Sequence, residues 1–540
     1  MRRVMRGTRA KVVIFFCMLG AMIAVGCNAL LDFDSFTYDP SGSEAGGDTT
    51  TTEGGGDAGD GGCIDPTGFG GKGCYRCAPT TNDQLLNACT NAKFETFDNA
   101  MRIQGFDPNN PRPPLVDGGP TPPPFDAGVV TPTDSGVDPV PPCEGPNGND
   151  GPLFTRPNPV IVFGATGFPM DVIAKAMGSD VTMFYREEGS CVGWASMLLN
   201  APKAGDTGKE EVTYFDNTTG VGTRCTLASS HPADVNLAAL FAETCAGQNG
   251  LPPNVSVPAD VQDFLGPANP VMFAVPATSK ERVISAEAAY KVYGFGNASG
   301  VAPWTDEFYI FRRTPSSGNQ QSTARSILLP PDALRGRDSA GSSNMRRALQ
   351  QSDKPDITIG ISSSEIIDIN RDVMKSLAYQ HYNQAVGFYP DSDPGQFDRR
   401  NVRDGHYFMW IPLHVMVKTV AGDPISAQNT VLDPDGSKKA TRDAAVKKLV
   451  FVMVNRQEPP VKSVNMFNAL KVIGNIPQCA MRVTRTKEAA PLEPFTPSTS
   501  CACAFEAASP GSAPAECKPC TGPADCAGSS KPTCSFGFCE

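Results

Sequence analysis

Between Pro159 and Ile327 one unit of organisation occurs three times: an apolar run, a loop rich in Gly and Ser, and the start of a helix. Val160-Ile161-Val162-Phe163 leads through Gly164-Ala165-Thr166-Gly167 to a helical pattern with Val172, Ile173, Ala176 and Met177 on one face. Val181-Thr182-Met183-Phe184-Tyr185 leads through Arg186-Glu187-Glu188-Gly189-Ser190 to a helix through Trp194 and Met197. Phe308-Tyr309-Ile310-Phe311 leads through Arg312-Arg313-Thr314-Pro315-Ser316-Ser317-Gly318-Asn319 to a helix through Ile327. Apolar runs of this kind read as strands buried on both faces, and their alternation with helices predicts an α/β body. The same texture continues to about Arg485, which is enough chain for two lobes.

Composition divides the rest. Arg2, Arg3, Arg6, Arg9 and Lys11 precede the apolar run Val12 to Val25, a secretion signal too short for a comfortable membrane span. It ends in Ala24-Val25-Gly26-Cys27, which resembles a bacterial lipobox and makes Cys27 the expected lipid attachment site. The expected organisation is a signal at 1–26, a flexible tether at 27–62, and a small Cys-containing segment at 63–104. A Pro/Gly-rich linker at 105–158, the two-lobed domain at 159–485 and a Cys-rich tail at 486–540 follow.

Of 18 cysteines, Cys17 belongs to the signal and Cys27 to the lipid, which leaves sixteen in an oxidising compartment and makes disulfides the expectation over zinc. Cys479 with the seven cysteines of the tail can form a self-contained knot, and a bridge is expected among Cys191, Cys225 and Cys245. Without the five cationic residues of the signal, the net charge of −11 becomes about −16. Such a chain is a poor partner for nucleic acid, where neutralisation of phosphates supplies most of the affinity. It remains able to hold an anion in a closed site, because local donors decide that.

The three loops suggest what would be held. A helix N-terminus leaves backbone N–H groups unpaired and carries about half a positive charge. Gly lets that backbone approach an anion closely, and Ser or Thr adds a hydroxyl. Arg313 would add a planar guanidinium fork that matches a tetrahedral oxyanion.

The order of these loops resembles the ligand-contacting loops of periplasmic phosphate-binding proteins, the substrate-binding subunits of ABC transporters, which have the type 2 periplasmic-binding fold. Val271-Met272-Phe273-Ala274-Val275-Pro276, Ile284 to Tyr290 and Pro303-Trp304 look like that family's crossover into the second lobe. Gln384-Ala385-Val386-Gly387-Phe388-Tyr389 resembles its return strand. The resemblance spans about residues 159–425. It implies a two-lobed α/β body, to which the cysteine-rich segments add disulfide-rich extensions at both ends, and inorganic phosphate or a similar oxyanion as ligand. It implies contacts from Thr166, Gly167, Phe168 and Ser190 in the first lobe and from Arg313, Ser317, Gly318 and Asn319 in the second. An ABC permease and a membrane reached through the lipid anchor are the implied partners, at the periplasm or outer cell surface, with no cofactor or metal.

Three departures stand out. Gly167 is an extra residue in the first loop, and Asn319 stands where the family has Thr. Ala238-Ala239 stands where a carboxylate should accept the ligand's proton, with Asp234 or Glu243 as substitutes if the alignment is displaced. The alternative function is a surface or scaffold lipoprotein that kept the fold and lost its ligand. An enzyme is not expected: the chain has no Gly-x-x-x-x-Gly-Lys loop, no Gly-x-Ser-x-Gly elbow and no nucleophile with an adjacent base. Arg403-Asp404-Gly405-His406 reads as a turn, and Ser362 to Ser364 as a helix cap.

Overall fold

The computed structural model describes residues 63–115, 121–125, 140–165, 167–199, 209–228, 231–339, 341–433, 435–454, 466–508 and 517–540. The signal segment, the tether with Cys27, and Thr166 lie outside the described residues. In chain order the first lobe begins with β1 (Pro159–Gly164), α1 (Met170–Met177), β2 (Thr182–Glu187) and α2 (Ser190–Leu199). The strands β3 (Lys209–Phe215), β4 (Gly222–Ala228) and β5 (Val235–Ala238) follow. The 16-residue strand β6 (Val261–Pro276) leads to α3 (Ala286–Phe295), β7 (Ile310–Arg312), α4 (Gly318–Ser326) and β8 (Arg337–Asp338). Next come α5 (Ser342–Gln350), β9 (Ile359–Ser363), α6 (Ser364–Ile367), β10 (Trp410–Val420), α7 (Lys439–Met453) and α8 (Met466–Val472).

Two lobes follow from the way β6 is shared. Its first part pairs antiparallel with β10, from Val261↔Lys418 to Pro270↔Trp410. Its second part pairs antiparallel with β9, from Val271↔Ser363 to Ala274↔Gly360. The order β8-β7-β9-β6-β10-β5-β1-β2-β3-β4 is therefore one continuous path through two sheets, with β6 carrying the chain out and β10 carrying it back. The return strand is thus Trp410–Val420 and not the stretch 384–389, which holds only the short strand Gly387–Phe388. Length explains the difference: only the run from Trp410 is apolar long enough to reach from one lobe into the other.

All six residues of β1 are buried, because α-helices and loops cover both faces of this parallel centre. Helix α2 sits so close to β5 that a Cβ at Gly193 would stand 2.2 Å from the Leu237 carbonyl oxygen, and one at Gly164 would stand 2.0 Å from the same atom. These two glycines allow strand and helix to approach, which places the start of α2 at the edge of the cleft.

All sixteen cysteines pair. Cys63–Cys77 and Cys74–Cys89 staple the N-terminal segment, and Cys143–Cys225 and Cys191–Cys245 lie in the first lobe. Cys479–Cys501, Cys503–Cys517, Cys520–Cys534 and Cys526–Cys539 close the tail on itself. The extensions also dock. Phe94–Glu95 adds a strand to a small sheet with Gly387–Phe388, Ala378–Gln380 and Val283–Ser285. In the stretch 105–158, the Pro113 carbonyl accepts from Tyr290 Oη at 2.7 Å, and Phe125 packs edge-on to Phe311 and donates its N–H to the Asp338 carbonyl. Proline has no N–H to offer a ladder but keeps its carbonyl, which is what the Pro113 contact uses.

Candidate functional site

The second and third strand–loop–helix units bring their helix starts together. Ser190 is the first residue of α2 and Gly318 the first of α4, and the two belong to different lobes. A Cβ at Gly318 would lie 3.4 Å from Ser190 Oγ and 3.5 Å from the Ala239 Cβ. Two positive helix ends thus face one another across the cleft, an arrangement that favours a negative charge between them. Ser190 Oγ accepts from the Ala239 N–H at 3.0 Å, so the position expected to hold a carboxylate contributes a backbone donor instead.

Arg313 lies just beyond the end of β7 and is mostly buried. Its Nη1 donates to Ser342 Oγ at 3.1 Å, and its Nε has no hydrogen-bond partner among the described residues. Burial pulls the guanidinium below its ordinary value, while the charges of Glu365, Asp338 and Glu187 oppose that shift. Among the described residues no carboxylate comes within ion-pair distance of Arg313, and Glu188 pairs with Arg186 at 3.1 Å. Buried guanidinium nitrogens of Arg442 and Arg485 also lack a partner among the described residues, so it is the place of Arg313 beyond the end of β7, at the cleft, that makes it a candidate donor to an anion.

Glu365, near the start of α6, is a carboxylate that the sequence reading did not single out. Its Oε1 accepts from Ser363 Oγ at 2.6 Å and its Oε2 from Asn269 Nδ2 at 2.9 Å. Ser363 Oγ in turn accepts from Asn319 Nδ2 at 2.9 Å, so the amide of Asn319 is engaged within the second lobe. On the other side, Ser364 Oγ donates to Asn269 Oδ1 at 3.0 Å, and Asn475 donates to the Gly167 carbonyl. Glu365 therefore lies in a polar chain that runs from the Gly167 loop through β6 to α4. A signal existed for it: Ile359 to Ile367 is a fourth strand, Ser-rich loop and helix start. Ser363 makes no side-chain cap to α6, contrary to the cap reading, because its hydroxyl is committed to Glu365.

The remaining expected contacts divide. Gly167 has a φ of +118° and sits beside Leu413 and Asn269 at the cleft. Phe168 is a core residue whose ring lies against Gly266, available to a ligand through its backbone only. Ser317 is the N-cap residue of α4 without a side-chain capping bond, which leaves its hydroxyl uncommitted to the helix. Of the carboxylates proposed as substitutes, Asp234 is structural. It is fully buried and accepts from the Ile161 N–H at 2.9 Å and from Ser426 Oγ at 2.6 Å. Arg400–Asp404 forms a short helix that ends at Gly405, and His406 behind it bonds the Ala88 carbonyl at 2.9 Å. Burial holds the His406 imidazole below its ordinary value, which fits a packing role.

The sequence matches no protein-family model and no curated protein. Among solved structures, a putative phosphate ABC transporter substrate-binding protein with bound phosphate from Clostridium perfringens matches at 13% identity and a TM-score of 0.33, covering 53% of this chain and 98% of that one. An ABC-type phosphate transport receptor from Vibrio cholerae matches at 12% identity and 0.30, covering 54% and 98%. The reduced OxyR regulatory domain from Pseudomonas aeruginosa matches at 5% identity and 0.27, covering 54% and 97%. All three likenesses are distant. The strand order and the two crossing strands are what define the architecture: the chain is an α/β protein with a two-lobed body, and its N- and C-terminal extensions are rich in disulfides.

Proposed function

We propose that this chain is an exported solute-binding protein, tethered to a membrane through Cys27, that holds a phosphate-like oxyanion between its lobes, leaves it chemically unchanged and hands it to an ABC permease. The observation that carries the reading is the meeting of two helix N-termini from different lobes at Ser190 and Gly318, with the buried and partly unpaired Arg313 on the second lobe's face of the cleft. Gly167, Phe168 and Thr166 would contribute from the first loop, Ser317 and Asn319 from the start of α4. Export is supported by eight disulfides, which persist in oxidising compartments. No helix among the described residues is long and apolar enough to cross a membrane.

Glu365 gives the site its preference. An ionised carboxylate only accepts hydrogen bonds, so it favours an anion that still carries a proton and disfavours one that is fully ionised. Phosphate should therefore bind more tightly than sulfate. Thermal unfolding with each anion tests this, since a ligand at a hundred times its dissociation constant adds about 2.7 kcal/mol. Absence of any shift with phosphate, sulfate or related oxyanions would remove the reading.

One observation favours a ligand-free scaffold instead. Ser190 Oγ, Asn319 Nδ2 and Arg313 Nη1 already have partners within the chain. A scaffold would show no anion-dependent stabilisation at all and would capture envelope proteins other than a permease.

A further inference from the structure

A cavity lies on the second lobe, where the N-terminal extension docks. It encloses about 500 Å³, within the size range of small-molecule sites. One wall is Lys93 and Glu95, brought there by the strand Phe94–Glu95; the others come from residues 281–282, 367–376 and 389–395.

Most of its charges are already matched. Glu281 pairs with Arg102 at 2.6 Å, and Asp393 pairs with Lys93. Arg371 pairs with Asp368 at 2.8 Å and Asp391 at 3.0 Å and lies over the Phe397 ring. One cation, Lys375, is left without a carboxylate, and a second, the mostly exposed Arg282, is held only by a long ion pair. Lys375 Nζ donates to the Ser279 carbonyl at 2.5 Å but has no carboxylate within ion-pair distance among the described residues. Arg282 reaches Glu95 only at 3.8 Å, and that carboxylate already accepts from Tyr389 Oη at 3.2 Å. Burial, and then the charge of Arg282, hold the Lys375 ammonium below its ordinary value, while the charges of Asp356 and Glu281 oppose that shift from farther off. Beside these cations the buried Tyr389 and Ile367 supply an apolar surface.

We infer that this cavity binds a small organic carboxylate with an apolar body, its carboxylate bridging Lys375 and Arg282 and its body lying on Tyr389 and Ile367. The site is separate from the cleft and does not depend on the anion reading above. It also gives the N-terminal extension a role, because Glu95 and Lys93 complete the wall.

Hippurate and its uncharged amide, titrated calorimetrically into the full chain at constant ionic strength, test the inference. Saturable binding of hippurate and none of the amide is expected. Lys375→Ala and Arg282→Ala should each weaken hippurate about tenfold, the scale of a lost charge-assisted contact. Arg313→Lys and excess phosphate should leave hippurate affinity unchanged, so failure here and failure of the cleft reading are distinguishable. No saturable binding, equal binding of the amide, or unchanged affinity in Lys375→Ala overturns the inference. Displacement of hippurate by phosphate would assign it to the cleft and overturn it equally.

Discussion

The two lobes are held together by different chemistry. The first lobe carries Cys143–Cys225 and Cys191–Cys245, and the second of these ties α2, which begins at Ser190, to the turn after β5. The second lobe has no cysteine at all between residues 246 and 478. In its place stands a buried ionic cluster, in which Arg399 bonds both Asp368 and Asp391 while Arg371 bonds the same two carboxylates from the other side. Covalent staples hold the rim that offers backbone and hydroxyl donors. Charges hold the lobe that offers Arg313 and Glu365. The contrast teaches that the first lobe should answer to reductant and the second to loss of a single ionic partner.

The largest effect is expected from Arg399→Met. It leaves two buried carboxylates with Arg371 alone, and breaking a buried ion pair by removing one partner typically costs about 3–5 kcal/mol. Chemical denaturation would measure it, and a loss no larger than that of an exposed arginine would contradict the ionic account of the second lobe. Next comes the double substitution Cys191→Ser with Cys245→Ser. The bridge spans 54 residues, for which loop entropy gives about 4 kcal/mol as an upper figure. Wild-type protein in reductant should lose stability in the same direction, and the first lobe's amides should exchange faster than those of the second.

Asp234 gives the first lobe a pH dependence. Burial raises its pKa to about 6, against the hydrogen bonds from Ser426, Ile161 and Gln428. The folded state then binds this proton more tightly than the unfolded state, so the contribution is complete below about pH 4 and is lost as pH rises through 6. On the order of 3 kcal/mol is involved for the one carboxyl. Asp234→Asn should be less stable overall, since its amide faces the Ile161 N–H, and should show a flatter stability profile between about pH 4 and 6. An unchanged slope would show that Asp234 titrates normally.

Much of the fold was legible because it rests on local pattern. The runs at Val160 and Val181 became strands, that at Phe308 did so only from Ile310 because Glu307–Tyr309 forms a helical turn, and the helices after them begin at Met170, Ser190 and Gly318. The pairing of sixteen cysteines followed from compartment and parity, although connectivity such as Cys143–Cys225 did not, since the partners are far apart in sequence. The docking of residues 105–115 and 121–125 was illegible for a physical reason: carbonyl contacts such as that of Pro113 leave no hydrophobic period to read. Glu365 was missed because its partner Asn269 lies on the crossing strand, 96 residues away, and only the topology brings them together. The expectation for Ser190 and Gly318 rested on the family order of loops, and the structure does place these residues against each other.

The smallest expected change in energy tests the central claim most directly. Arg313→Lys keeps a positive charge but loses the planar fork, so phosphate affinity measured by calorimetry should fall by about 1–3 kcal/mol, while the melt of the anion-free protein barely moves. If instead the substitution destabilises the anion-free protein strongly and phosphate binds as before, Arg313 serves the architecture of the second lobe and the anion site is not where Ser190 and Gly318 meet.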